Sequence, residues 1–172
     1  MRRIAKVLAA TAAVLTYSGV GEAWPKSLFT SPQRDFVVAF PSHPEIAGRG
    51  AENEDASGYR VYSAGGAHDA FEVRVDQYPK TIPVPAPDPQ TYELILRAYA
   101  VQTASRLEAT TPVQFDGHLG LQGRFVHATG ATEIRRVLMV GHKIYQVSYT
   151  DHAAADPAGT AFLDSFKLTS GD

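Results

Sequence analysis

Two arginines on neighbouring predicted strands are the residues whose spacing points most directly to chemistry. Strands over 119–128 and 132–140, joined by a two-residue turn at Thr129-Gly130, would place Arg124 directly opposite Arg135. Like charges in that position repel each other unless something negative lies between or beside them. One hypothesis is therefore that Arg124 and Arg135 form a small anion-binding site.

Neutralisation within the chain is the simpler interpretation of the same two arginines. Glu133 lies on one of the two predicted strands, and Glu72 and Asp76 belong to an earlier strand with the same alternating pattern. These carboxylates could pair with the guanidinium groups on a solvated sheet face. Surface arginines rarely need a ligand, so this interpretation is favoured.

The six histidines do not form a metal-binding pattern. Two ligands on one element recur at short spacings, and neither His-x-His nor His-x-x-x-His occurs in the sequence. Asp151-His152 is an acid–histidine neighbour pair, but consecutive side chains point apart. The sequence has no cysteine, which excludes disulfides and thiolate ligands. We expect neither a metal nor a cofactor.

Motifs for covalent catalysis are also missing. The sequence has no Gly-x-Ser-x-Gly elbow and no Ser-x-x-Lys pair that would activate a serine. The acidic run 52–55 is flanked by glycines and is typical of a solvated loop. We expect a protein that is not an enzyme and has no catalytic residues, with a hydrolase assembled only in three dimensions as an alternative.

The first 23 residues have the order of a secretory signal peptide. A basic start, 1–6, is followed by the apolar stretch 7–20 and by Gly21-Glu22-Ala23. The apolar stretch is too short for a permanent membrane helix, which needs about 20 residues. We predict cleavage before Trp24, a periplasmic or secreted product, and no transmembrane anchor after cleavage.

Composition limits the remaining possibilities. The net charge of the chain is −2, and removal of the basic leader makes the product more acidic. Nucleic-acid binding would require a basic stripe, so we expect no nucleic-acid partner. The length of 24–172 suits a single domain with a real core.

The middle of the chain is predicted to change from strand to helix. Period-two runs over 36–40, 59–63 and 70–78 indicate strands, and the proline-rich segment 82–87 indicates an extended connection. A helix follows, with Asp88 as its cap. Its apolar positions recur at helical spacing: Tyr92, Ile95, Leu96, Tyr99 and Leu107.

The remainder of the chain returns to strands and can be registered. With two-residue turns, Leu121 faces Leu138 and Tyr145, and Gly123 lies opposite Arg136. The prediction for the end of the chain is a short helix over 156–164 and a last strand over 166–168. The predicted fold class is α+β, an antiparallel sheet with one long middle helix and a short C-terminal helix packed on it.

Several short motifs in this order resemble the bacterial PsbP-like superfamily, whose fold occurs in the extrinsic subunit of photosystem II. The motifs are Phe36-Val37-Val38-Ala39-Phe40-Pro41-Ser42-His43-Pro44, the middle helix, Gly120-Leu121-Gln122-Gly123-Arg124, Ile144-Tyr145-Gln146-Val147 and Phe162-Leu163-Asp164-Ser165-Phe166-Lys167-Leu168. The resemblance implies an antiparallel sheet crossed by helices that serves as a non-catalytic docking or assembly module. It supplies no catalytic residue to carry over.

The sequence therefore predicts an exported, non-enzymatic binding or assembly module. Its partner would be a protein of the cell envelope or a small ligand. The alternative is a small-molecule or anion carrier that uses the polar sheet face with Arg124 and Arg135. Whether the proline-rich segment 82–87 is itself recognised stays open.

Overall fold

The computed structural model describes residues 28–65, 69–84, 86–152 and 157–169. The predicted signal peptide lies outside these ranges. The described elements are, in chain order, β1 Phe29–Thr30, β2 Phe36–Val38, β3 Glu45–Ala47, β4 Gly58–Gly65, β5 Asp69–Gln77, α1 Pro89–Gln102, β6 Arg106–Phe115, β7 His118–Val126, β8 Thr132–Val140, β9 Lys143–Asp151, α2 Pro157–Ser165 and β10 Lys167–Leu168. None of the helices in these ranges is long and apolar enough to cross a membrane.

The strands form two antiparallel sheets. The large sheet has seven strands in the order β3-β4-β5-β9-β8-β7-β6, and the small sheet has three in the order β1-β2-β10. Neighbouring strands run antiparallel throughout. The prediction of an α+β fold with an antiparallel sheet, a long middle helix and a short C-terminal helix is confirmed.

One face of the large sheet, here called the core face, is apolar and covered. Helix α2 and the small sheet pack on it and bury a cluster rich in aromatic rings. Phe162 of α2 contacts the rings of Phe40 and Phe71 at centroid distances of 5.1 and 5.2 Å. A methyl group added at Gly159 would overlap the ring of Tyr149, so α2 lies directly on β9.

The opposite face, here called the α1 face, is covered at one end. Helix α1 packs on β6, β7 and β8 and buries Tyr92 and Leu96 against Leu121, Phe125 and Val137. The Tyr92 hydroxyl donates to the carbonyl of Leu119 at 2.9 Å. Beyond the helix, the side chains of Glu72, Arg74, Asp76 and Gln146 on β5 and β9 are partly exposed.

The start of α1 agrees with the sequence prediction, and its end does not. Asp88 caps the helix, with Oδ1 accepting from the backbone amides of Gln90 and Thr91 at 2.7 and 2.9 Å. The helix ends at Gln102, and Ala104 follows in the left-handed region with φ 49°. The prediction that Leu107 belongs to the helix is wrong, because the chain reverses before it and Leu107 lies in β6.

The predicted register is correct between β8 and β9 and wrong by one residue between β7 and β8. Leu138 pairs with Tyr145, as the two-residue turn predicts. Leu121, however, pairs with Val137 and not with Leu138. The turn between β7 and β8 has three residues, since His127 and Ala131 close it with a 2.9 Å backbone hydrogen bond, and Gly130 occupies a left-handed conformation with φ 85°.

The shift in register moves every β7 side chain to the other face. Gly123 pairs with Arg135, so the prediction that it lies opposite Arg136 is wrong. A methyl group at Gly123 would come within 2.9 Å of Phe125 and within 3.1 Å of Leu96 and Leu107. The glycine therefore allows α1 to approach β7.

Candidate binding groove

A groove runs along the open side of α1. Its floor is the α1 face of β5 and β9, with Glu72, Arg74 and Asp76 on β5 and Tyr78 directly after the end of β5. Its wall is the side of α1 that carries Ala98, and its volume is about 490 Å³. We call it the α1 groove.

Arg135 is the buried charge at the base of the α1 groove. The residue is 3% exposed, although it projects from a strand that the sequence predicts to be solvated on this side. Its Nε donates to Glu133 at 2.7 Å, one terminal nitrogen donates to Gln146 at 3.1 Å, and the other donates to Glu72 at 3.3 Å. The guanidinium also stacks on the ring of Tyr99 at 3.8 Å from its centre.

Glu133 is the buried acid of this network and is 1% exposed. One carboxylate oxygen accepts from Arg135. The other accepts from the Tyr99 hydroxyl at 2.7 Å and lies 2.8 Å from Nε2 of His127. A buried carboxylate needs such partners because desolvation is costly, and here it joins α1 to the sheet.

A second ion pair continues the network along β5. Arg74 binds Asp76 in a bidentate arrangement, with nitrogen–oxygen distances of 2.7 to 3.0 Å. Gln146 accepts from Arg135 and donates to Asp76 at 3.2 Å, which links the two pairs. The floor of the α1 groove is thus a continuous set of paired charges.

The pKa shifts of Tyr99, Arg135 and Arg74 favour the protonated form of all three side chains. Burial raises the pKa of the Tyr99 hydroxyl well above its ordinary value, so the group remains a donor to Glu133. Burial alone lowers the pKa of Arg135, but Glu133, Tyr99 and Glu72 together outweigh it and the pKa rises overall. The hydrogen bonds that Arg74 donates to the Asp76 carboxylate raise the pKa of Arg74. Both guanidinium groups are charged at any physiological pH.

The predicted juxtaposition of Arg124 and Arg135 is wrong. Arg124 pairs with Ile134 and lies on the opposite side of the sheet from Arg135. Its side chain is 54% exposed and contacts Glu108 at 3.3 Å. The shift in the β7–β8 register separates the two arginines, so they cannot share one anion.

The contacts of Arg135 agree with the interpretation that carboxylates of the same chain neutralise its charge. Glu133 and Glu72, two of the three carboxylates named for that role, both bind it. The prediction that these residues lie on a solvated sheet face is wrong, because Arg135 and Glu133 are buried under α1.

The described part of the chain contains no group of three His, Asp or Glu side chains placed to hold a metal ion. The predicted strand face already contained Glu133, Arg135 and Gln146 at alternating positions. Sequence reasoning missed the partners from α1 and from the turn, Tyr99 and His127. Their contribution depends on how α1 crosses the sheet, and no local pattern in the sequence reports that.

No family model matches the chain, and no curated protein matches it. Among solved structures, the solution structure of cyanobacterial PsbP (CyanoP) from Synechocystis sp. PCC 6803 is similar, with a TM-score of 0.59. The match covers 90% of this chain and 99% of that chain at 9% sequence identity. The chain has a PsbP-like fold.

The resemblance read from the sequence motifs is therefore confirmed for the fold. In this PsbP-like fold, the last motif forms α2 and β10, with Phe162, Leu163 and Phe166 in the core. The same residue types explain folding and do not identify a ligand. Because one fold hosts many functions, the site has to be argued from the α1 groove of this chain.

Proposed function

We propose that this protein is an exported, non-enzymatic binding or assembly module whose binding site is the α1 groove. The PsbP-like fold supports a binding or assembly role, and the pattern of residues 1–23 supports export. The partner is a protein of the cell envelope or a small ligand.

One observation carries the proposal. Arg135 and Glu133 are buried beside an open groove, in a network whose members come from α1, β5, β8 and β9. A buried ion pair is often no more stabilising than apolar residues of the same volume. What the network does provide is a rigid, polar floor whose charges keep fixed positions, which is what a selective binding surface requires.

The test is native mass spectrometry on protein purified gently from the envelope fraction of its own host. The wild type is compared with Ala98→Trp, which fills the α1 groove from its wall. Leu94→Trp is the matched control, because Leu94 is an exposed residue of the same helix and does not line the groove. Circular dichroism confirms that both variants are folded.

We expect an associated mass on the wild type and on Leu94→Trp that is absent from Ala98→Trp. A polypeptide mass would identify a docking module, and a small mass would identify a ligand carrier. A mass that stays on Ala98→Trp, or a bare monomer in all three samples, would contradict the assignment of the α1 groove.

A further inference from the structure

A second cavity lies at the margin of the core face, beside β4. It is lined by Arg60 and Tyr62 of β4, by Lys143 of β9, and by Gln33 and Asp35 of the turn between β1 and β2. Its volume is about 30 Å³. A water molecule needs about 10 to 15 Å³, so the space suits about two or three atoms of that size. We call it the Arg60 cavity.

The charged side chains that line the Arg60 cavity carry one positive charge in excess. They are Asp35, Arg60 and Lys143, and the first and last form an ion pair at 2.9 Å. Within the part of the chain that the structure describes, no carboxylate lies at ion-pair distance from Arg60. The guanidinium lies beside the Tyr62 hydroxyl, a neutral group that does not balance its charge. Arg60 is therefore the uncompensated charge of the cavity.

The hydrogen bonds around the cavity also favour a ligand that supplies acceptors. Both oxygens of Asp35 are engaged, because Oδ1 accepts from the Ser31 hydroxyl at 2.5 Å and Oδ2 accepts from Lys143 at 2.9 Å. The amide oxygen of Gln33 accepts from the Tyr62 hydroxyl at 2.9 Å, so the amide nitrogen of Gln33 remains a donor. A guanidinium group adds up to five N–H donors and no acceptor. An anion would complement these donors.

Glycine at position 50 allows the Arg60 guanidinium to occupy its place in the cavity. A methyl group added at Gly50 would overlap the guanidinium. The loop that carries Gly50 is itself packed on the start of β4, since a methyl group added at Gly58 would overlap the backbone of Ala51. The backbone of this loop therefore closes over the end of the Arg60 side chain. Such packing restricts the guanidinium more than an ordinary surface arginine is restricted, which lowers the entropy that a ligand has to remove.

We propose that the Arg60 cavity binds the carboxylate group of a small organic acid, with the guanidinium of Arg60 as its main partner. The planar fork of a guanidinium matches the two oxygens of a carboxylate. A carboxylate head is flat and smaller than a tetrahedral phosphate or sulfate, which suits the small volume. Arg60 pairs with Val75 and so points to the opposite side of the sheet from Arg74 and Asp76, which line the α1 groove. This second site therefore goes beyond the proposed function.

The probe is acetate, titrated at neutral pH into isotope-labelled protein and followed by amide chemical shifts, with sodium chloride keeping the ionic strength constant. The matched control is acetamide, which keeps the shape of acetate and removes its charge. We expect saturable shifts at Gly50, Ala51 and Arg60, with a dissociation constant of about 1 to 10 mM for acetate. Binding of acetamide should be weaker by about tenfold or more.

Three variants locate the site. Arg60→Gln removes the guanidinium and should weaken acetate binding by about tenfold or more. Arg49→Gln is the matched control, because it removes a nearby exposed arginine that does not line the cavity, and it should change the affinity by less than about twofold. Gly50→Ala keeps every charge but displaces the end of the flexible Arg60 side chain, and it should weaken acetate by about threefold to tenfold. Thermal unfolding checks that each variant is folded.

Equal binding of acetate and acetamide, absence of saturable binding, or equal losses in Arg60→Gln and Arg49→Gln would each overturn the inference. If Arg60→Gln does not fold, full acetate binding by Gly50→Ala would overturn it instead. Tighter binding of inorganic phosphate than of acetate would show that the carboxylate class is wrong.

The peptide acetyl-Gly-Gly with a free C-terminal carboxylate provides a further arm. Affinity more than about tenfold above that of acetate would overturn the choice of a small acid in favour of a chain terminus. The two proposed sites are tested separately, because Ala98→Trp fills only the α1 groove and should leave acetate binding unchanged.

Discussion

The core face and the α1 face of the seven-stranded sheet differ in what covers them and in what they bury. The core face lies under α2 and the small sheet, and its buried cluster is built from aromatic and aliphatic side chains. The α1 face lies under one helix that reaches only part of the sheet, and it buries Glu133 and Arg135 at the edge of that cover.

The two faces of the sheet therefore contribute differently, the core face to stability and the α1 face to a defined polar geometry. Apolar burial on the core face supplies stability roughly in proportion to the apolar area removed from water. The ion pair on the α1 face contributes little net stability but requires a defined geometry of every partner. We therefore expect substitutions in the buried cluster of the core face to change stability alone and substitutions in the α1 groove to change binding as well.

The largest effect is expected on the core face. Phe162→Ala removes a ring that is fully buried between Phe40 and Phe71 and should lower the free energy of unfolding by about 3 to 5 kcal/mol. Ile95→Ala, a partly buried position on the wall of the α1 groove, should cost about 1 kcal/mol. Urea unfolding measures both, and equal losses would remove the distinction between the two faces.

Breaking the buried ion pair should cost nearly as much. Arg135→Met leaves Glu133 without its main partner and should lower the free energy of unfolding by about 3 kcal/mol. The double variant Glu133→Leu with Arg135→Met removes both charges and should regain most of that loss. If the double variant is no more stable than Arg135→Met, the pair is a net source of stability and the contrast with the core face is wrong.

The ion pair of Asp35 with Lys143, at the edge of the core face, should make the free energy of unfolding depend on pH. Burial alone raises the pKa of Asp35, but hydrogen bonds from Ser31 and Lys143 outweigh it and lower the pKa below its ordinary value of 3.8. The stabilisation by the Asp35 carboxylate is therefore complete above about pH 4 and is lost as the pH falls through the folded-state pKa.

Asp35→Asn should accordingly lower the free energy of unfolding by about 1 to 3 kcal/mol at neutral pH. The difference from the wild type should shrink as the pH falls below about 4. Urea unfolding across a pH series measures it. A difference that stays constant with pH would show that the carboxylate charge is not responsible.

The smallest effect is expected for Arg124. Arg124→Gln removes an exposed contact with Glu108 and should change the free energy of unfolding by less than about 0.5 kcal/mol. Unfolding with and without sulfate should show the same anion dependence as the wild type. A loss of anion-dependent stability in Arg124→Gln would show that Arg124 binds an anion.

Much of the fold could be predicted because its signals are local. Alternation along β8 defines its two faces, and Asp88 followed by Pro89 marks the start of α1 through backbone amides that need a cap. The β8–β9 register followed from a two-residue turn at Gly141-His142. These features depend on neighbouring residues and on elementary backbone geometry.

The candidate site could be predicted only in part. Glu133, Arg135 and Gln146 were recognised as polar residues of one face, but their burial was not. The end of α1 was placed too late, because Leu107 continues the helical spacing although the chain reverses at Ala104. Once α1 ends earlier, Leu107 is free to pack beside Gly123 as part of β6.

The sequence by itself determined most of the element types and the antiparallel α+β class, since periodicity, caps and glycines act over a few residues. The PsbP-like arrangement was implied by the resemblance of its short motifs to that family. Only the tertiary structure decided that Arg124 and Arg135 lie on opposite faces. One additional residue in a turn inverts a whole strand, because side chains alternate with a period of two. The burial of Glu133 and Arg135 was likewise decided only when α1 crossed the sheet and excluded water from one part of it.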